Sequence, residues 1–177
     1  REAQKLVEYL LAHSKAPMVI DADGLNAIAA EPEMLSKAQA PLVLTPHPGE
    51  MARLLKTTVQ DVQRHRLEYA KEFAVKQRLG LVLKGNKTVV ACPDGRVYIN
   101  TTGNPGMAKA GSGDVLAGIT GAFAAKRQCE KNEKKISLAK TAALAAYAHG
   151  KAGEAAEEKS SASYVTASEI IRGLQSI

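Results

Sequence analysis

Extended and helical runs alternate along the first half of the chain, and that alternation predicts an α/β domain with a mostly parallel sheet. Two further observations agree. Trp is absent and aromatics are only 4% of the residues, which disfavours an aromatic-rich β-sandwich, while Ala, Leu, Val and Gly abound. The 177 residues, 45% of them apolar, suffice to bury one substantial core, so a single domain over residues 1–177 is expected.

Leu6, Val7, Leu10 and Leu11 recur at helical spacing in "REAQKLVEYLLAHS", and Pro17 stops that helix ahead of the extended run "PMVID". "GLNAIAA" follows as a brief helix. A second extended run, "PLVLTPHPGE", leads into a helix from about Glu50, with Pro48 and Gly49 at its entry. "TTVQDVQRHRLEYAKEFAVKQRL" carries one helical period through Val59, Val62, Leu67, Phe73 and Val75, and ends at Gly80 before the apolar run "LVLK". The order then changes. "TVVACPDGRVYIN" reads as two short strands around a Pro-Asp-Gly turn, a hairpin on the sheet edge. Three helices close the chain, near 114–127, 136–159 and 167–175, the last capped by Thr166.

Composition narrows the function classes. The net charge is +6, yet Lys and Arg are interspersed with Glu, and the densest cluster, 126–135, contains Glu130 and Glu133. It reads as a solvated loop between helices, not as a nucleic-acid surface. Cys92 and Cys129 stand apart, with no CxxC and no Cys/His cluster, so neither a zinc site nor a disulfide framework is indicated, and the cytoplasm is the expected compartment. No apolar run approaches the roughly 20 residues that span a membrane. The chain starts at Arg1 without a Met or a signal-like segment, and a processed or truncated start is expected.

In an open parallel sheet, ligands gather where loops leave the carboxyl ends of the strands. Four loops fit that position: "DADGLN" at 21–26, "TPHPGE" at 45–50, "KGNKT" at 84–88 and "TTGNPGMAKAGSGD" at 101–114. In the last, Gly111, Ser112 and Gly113 open a helix whose first N–H groups lack internal partners, an anion cradle for a phosphate. Asp114 at the same end is placed to take a proton from a hydroxyl attacking the cradled phosphorus. It could equally be a plain helix cap. Gly103, Pro105 and Gly106 exceed what one turn requires and tilt the reading toward function. Lys84 or Lys87 could neutralise phosphate, or "KGNKT" could be an ordinary polar turn. His47, held between two prolines with Glu50 near, could be catalytic or structural, and Glu50 could simply favour a helix N-terminus. Asp21 and Asp23 could bind a sugar hydroxyl, a nicotinamide amide or a hydrated metal, or cap the short helix after them.

Taken together, "DADGLN", "TPHPGEM", "VLKGNKT" and "TTGNPGMAKAGSGDVLAGITGA", in this order and spacing, resemble the ADP-dependent NAD(P)H-hydrate dehydratases of the ribokinase-like superfamily. The resemblance covers essentially the whole chain, and "GNPGMAKAGSGD" is the most specific part. It implies a three-layer ribokinase-like fold, a mostly parallel sheet flanked by helices with an edge hairpin. It implies a repair enzyme for the S-epimer of hydrated NADH or NADPH that uses ADP, or ATP in some members, and yields AMP, phosphate and NAD(P)H. Asp114 would activate the ring hydroxyl for attack on the terminal phosphate, and the Gly111–Gly113 amides would stabilise the transferring charge.

Carried over by position, Lys84, Gly85, Asn86, Lys87, Thr88 and Gly113 would contact the nucleotide, and His47 and Asp114 the hydrated dinucleotide. Mg2+ is expected with the nucleotide, Glu50 being the nearest candidate ligand, through water. A homotetramer, a cytoplasmic location and a functional link to an NAD(P)H-hydrate epimerase are further implications. One departure matters: family domains carry additional strands, helices and a glycine-rich loop before the point corresponding to Arg1. The chain therefore reads as the C-terminal portion of the family domain, with an uncovered sheet edge and weak or absent activity alone. Two rivals remain open, a ribokinase-like kinase for a vitamin precursor or other small molecule, and a nucleotide-binding module without turnover.

Overall fold

The computed structural model describes residues 2–129, 137–160 and 165–177. The 126–135 cluster and the start of the helix expected from 136 fall largely outside them. Helix α1 (Glu2–His13) precedes strand β1 (Met18–Ile20), α2 (Asp23–Ala30), a 3₁₀ segment (Pro32–Lys37) and β2 (Leu42–Leu44). Then come α3 (Pro48–Leu55), α4 (Val59–Arg64), α5 (Arg66–Gln77), β3 (Gly80–Leu83), β4 (Val89–Ala91) and β5 (Val97–Ile99). A 3₁₀ turn (Pro105–Met107), α6 (Ser112–Cys129), α7 (Leu138–Ser160), α8 (Ala167–Gly173) and a last 3₁₀ turn complete the order.

The sheet runs β1-β2-β3-β4-β5, with β1, β2 and β3 parallel and β4 and β5 forming the expected antiparallel hairpin at one edge. At the other edge β1 pairs only with β2 among the described residues. Alternation along the strands builds three layers. Leu42, Leu44, Leu81, Leu83, Val89 and Ala91 face the α1–α5 layer, where they meet Leu11, Ile28, Met51 and Phe73. Val43, Val82 and Val90 point the other way, onto Leu116 of α6 and Ala142 and Ala146 of α7. Small residues on α7 let that long helix lie close to the strands.

Two expectations for the α5 region need correction. The single helical period over 57–79 is two helices, broken at His65, whose φ of −118° and ψ of 33° lie outside the helix. No Gly or Pro causes the break. Thr58 caps α4, and His65 Nδ1 lies 2.9 Å from a Glu68 carboxylate oxygen. The Arg66 guanidinium then reaches the carbonyls of Leu83 and Lys84 at 3.2–3.4 Å, bonds that tie α5 to the end of β3. Gly80, read as the helix stop, is instead the first residue of β3. Arg78 ends α5 in the left-handed conformation, with φ 55°. Gly80 serves packing: a Cβ there would stand 2.9 Å from Val43 Cγ2 and 3.0 Å from Ala139 Cβ.

Candidate active site

Parallel pairing of β1, β2 and β3, with β5 parallel to β3 across the hairpin, puts the four expected loops on one end of the sheet. Hydrogen bonds string them side by side. Thr45 N–H donates to the Ile20 carbonyl (3.1 Å), Lys84 N–H to the Pro46 carbonyl (2.8 Å) and Asn100 N–H to the Thr88 carbonyl (2.8 Å).

Lys84 is the hub. Its Nζ donates to Asp21 Oδ1 at 2.6 Å and lies 3.7 Å from Glu50 Oε2, and the three side chains are 17%, 13% and 7% exposed. Asp21 thus spends one oxygen on Lys84, which narrows the sugar, amide, metal or cap roles its sequence left open. Asp23 is exposed and meets only Asn26 Nδ2, at 3.4 Å. Above Lys84 stands the first turn of α6: a Cβ built on Gly113 would be 3.4 Å from Lys84 Nζ and 3.9 Å from Asp21 Oδ2. A side chain at 113 would fill the space over the ammonium, so glycine keeps the helix N-terminus and the lysine facing a common gap.

His47 and Glu50 form a capping box on α3. His47 Nδ1 accepts from Gly49 N–H (2.9 Å) and Glu50 N–H (3.3 Å), and Glu50 Oε2 accepts from His47 N–H (2.7 Å). This gives both residues the structural role that their sequence left open. With Nδ1 accepting, the neutral ring carries its proton on Nε2, which lies 3.5 Å from Glu50 Oε1. Half of the His47 side chain remains exposed at the mouth of the site.

The glycine-rich stretch divides in two. Residues 100–107 are laced to α7: Asn100 Nδ2 donates to the Ala146 carbonyl (3.2 Å), Thr102 Oγ1 to the Tyr147 carbonyl (3.1 Å) and Asn104 Nδ2 to the Gly153 carbonyl (3.0 Å). Gly103, at φ 101°, donates its N–H to Glu154 Oε1 at 2.8 Å. Lys151 and that N–H together hold the Glu154 carboxyl below its usual range. Gly103 thus has a docking role in this loop beside whatever function the stretch carries. Residues 111–114 differ. Gly111 has φ 85°, and the buried Ser112 Oγ lies 3.3 Å from His149 Nε2. Burial pushes the His149 imidazole down to about 4, so it is neutral at pH 7. Asp114 is exposed in the first turn of α6 and makes no hydrogen bond or ion pair among the described residues. The cap reading of Asp114 fails on that observation.

The 84–88 loop turns through two left-handed residues, Gly85 (φ 135°) and Lys87 (φ 53°), closed by Thr88 Oγ1 donating to the Gly85 carbonyl at 3.0 Å. Asn86 and Lys87 are exposed and line a groove of about 400 Å³ whose other wall is Gln63–Glu68, with Val89 and Ile99 as apolar floor. Arg66, His149, Glu154 and the asparagines at 100 and 104 were not legible as site supports, because each acts across a long sequence separation. No group of three His, Cys, Asp or Glu side chains suited to a metal ion occurs among the described residues. Glu50 Oε2 is taken by His47 and Lys84, so the donor set fits Mg2+ only as an ion carried by nucleotide phosphates and reached through water.

The three-layer architecture is that of the ribokinase-like class. A solved ribokinase-like superfamily protein from Enterococcus faecalis superposes with a TM-score of 0.75, at 26% identity over 98% of this chain and 56% of its own. The sequence model of the NAD(P)H-hydrate dehydratase family matches residues 1–176, and the chain belongs to that family. It is 41% identical over 155 residues to an ADP-dependent (S)-NAD(P)H-hydrate dehydratase from Neisseria meningitidis, covering 86% of this chain and 50% of the relative. A bifunctional NAD(P)H-hydrate repair enzyme from Moorella thermoacetica is 52% identical over 151 residues, covering 85% of this chain and 27% of the relative. The Bacillus subtilis ADP/ATP-dependent NAD(P)H-hydrate dehydratase, co-crystallized with ATP/Mg2+ and soaked with CoA, superposes with a TM-score of 0.80 at 37% identity, over 98% of this chain and 59% of its own. The chain thus spans about half the length of the single-function relative and about a quarter of the bifunctional one.

Proposed function

We propose that the protein to which this chain belongs dehydrates the S-epimer of hydrated NADH or NADPH at the expense of ADP or ATP. The observation that carries the reading is Asp114, a carboxylate without partners among the described residues in the first turn of α6, next in sequence to Gly113, which faces the Lys84 ammonium. Family membership and the names of the relatives support the substrate class.

In this reading the nucleotide lies along residues 84–88, with its terminal phosphate at the Gly111–Gly113 amides. Asp114 takes the proton of the C6 hydroxyl as that oxygen attacks the phosphorus; AMP leaves if the nucleotide is ADP. The new C6–O–phosphate ester then breaks at its C–O bond, the ring nitrogen lone pair expelling inorganic phosphate, and the iminium that remains loses a proton from C5 to give NAD(P)H. The α6 N-terminus and Lys84 stabilise charge on the transferring group. The half-exposed His47 ring contacts the dinucleotide in this reading. Mg2+ would neutralise charge on the phosphates when bound, and Glu50 would be the residue nearest to hold it, through water. A homotetramer, a cytoplasmic location and cooperation with an epimerase belong to the same proposal. The bifunctional relatives, in which the matched part is a minority of the length, favour the last. No helix among the described residues is long and apolar enough to cross a membrane.

The test is incubation of the full-length protein with hydrated NADH and either ADP or ATP. The absorbance of reduced nicotinamide should return only when a nucleotide is present. A phosphorylated product that persists, with no return of absorbance, would establish a small-molecule kinase instead.

A further inference from the structure

The only carboxylate hydrogen-bonded to the Lys84 ammonium among the described residues belongs to the loop whose role the sequence left open. Asp21 Oδ1 accepts both from Lys84 Nζ (2.6 Å) and from its neighbour's amide, Ala22 N–H (2.9 Å). Its other oxygen, Oδ2, lies on the α6 side, 3.9 Å from where a Gly113 Cβ would stand. The backbone around it is unusual. Gly24 N–H bonds the Asp21 carbonyl at 3.0 Å, and Ala22 takes φ 49° and ψ −118°, the first central position of a type II′ turn that normally carries glycine. A non-glycine residue held there indicates surroundings that over-determine the loop.

Resting on the phosphoryl-transfer reading above, we infer that Asp21 is a positioning residue that aims Lys84. An ammonium has three N–H groups. One is spent on Asp21 and one points toward Glu50, 3.7 Å away, so the lysine is held from two sides at the base of α6. The third is left for the gap in front of Gly113, where the transferred phosphate would lie. An unrestrained lysine would sample many rotamers and lose that aim, because its stem carries more conformational freedom than most side chains. Asp21 touches neither nucleotide nor dinucleotide in this arrangement; its effect passes through Lys84.

That dependence is testable as a double-mutant cycle in the full-length protein, read by ADP affinity in calorimetry with adenosine as the phosphate-free control and by kcat against KM. Asp21→Asn and Lys84→Met should each weaken ADP roughly ten- to hundredfold, the scale of a lost charge-assisted hydrogen bond, and leave adenosine unchanged. Asp21→Asn added to Lys84→Met should cost nothing further, and Asp21→Glu should recover part of the affinity. Should Asp21→Asn fail to fold, the double variant, which removes both charges, and Asp21→Glu carry the comparison. Additive losses, or equal losses for adenosine and ADP, would overturn the inference while leaving the functional reading standing. A wild-type protein that binds neither ADP nor ATP would overturn both.

Discussion

The two halves of the stretch from Asn100 to Asp114 share a composition and differ in everything else. Residues 100–107 send their polar groups into α7, where Ala146, Tyr147, Gly153 and Glu154 receive them. Among the described residues, 111–114 make one side-chain hydrogen bond, between Ser112 and His149, and the Asp114 carboxylate has no partner. Glycine, asparagine and threonine in the first half build a scaffold; glycine and aspartate in the second leave space beside Lys84 and a carboxylate that is unpaired among the described residues. A glycine-rich motif is therefore not uniform evidence for a ligand loop.

That division predicts opposite phenotypes. Asp114→Asn should lower kcat by roughly 10²- to 10⁴-fold, the usual worth of a general base, with ADP affinity and melting temperature essentially unchanged. A large loss of stability would instead show that Asp114 belongs to the scaffold.

His149 joins the two halves, since it lies on α7 and contacts Ser112. Its folded value of about 4 is below the ordinary 6.5, so the unfolded chain takes up the proton first. Stability from this group is complete above about pH 6.5 and falls by up to about 3 kcal/mol as pH drops to about 4. Denaturant midpoints across that window should show the slope, and His149→Asn should flatten it.

In the scaffold half, Gly150→Ala would put a Cβ 2.1 Å from Thr102 Oγ1 and 2.7 Å from the Thr102 carbonyl carbon. A loss of about 1–3 kcal/mol in chemical denaturation should follow, with kcat of the folded fraction affected far less than by Asp114→Asn. The smallest effect is Ala22→Gly. At φ 49° the substitution relieves backbone strain, and a gain of about 1 kcal/mol is expected after the entropic cost of glycine in the unfolded chain. A loss there would remove the argument that the turn is strained.

Much of this was legible in the sequence. Short apolar extended runs located the strands and period-3.6 patterns most helices, and the Pro-Asp-Gly turn marked the change from parallel to antiparallel pairing. Thr166 was readable as a cap, and the structure gives it a full capping box with Glu169. Tertiary partners were not readable. His65 breaks a helix without Gly or Pro, and Gly80 packs against Val43 and Ala139 while resembling a helix stop. In the site, local signals picked out the four loops but not the Asp21–Lys84 pair, whose members follow different strands, nor the anchoring of β3 by Arg66. His47 shows the converse: of the catalytic and structural roles its sequence left open, the structure shows a structural one, with Nδ1 capping α3.

The most direct measurement follows one oxygen atom. If the substrate hydroxyl attacks phosphorus at the α6 N-terminus and departs within phosphate, NADH hydrate labelled with ¹⁸O at C6 must deliver the label to inorganic phosphate. Equal amounts of labelled phosphate and restored NADH are the predicted result. Label recovered in water, with unlabelled phosphate from the nucleotide, would contradict phosphoryl transfer to the substrate and with it the role given to Asp114.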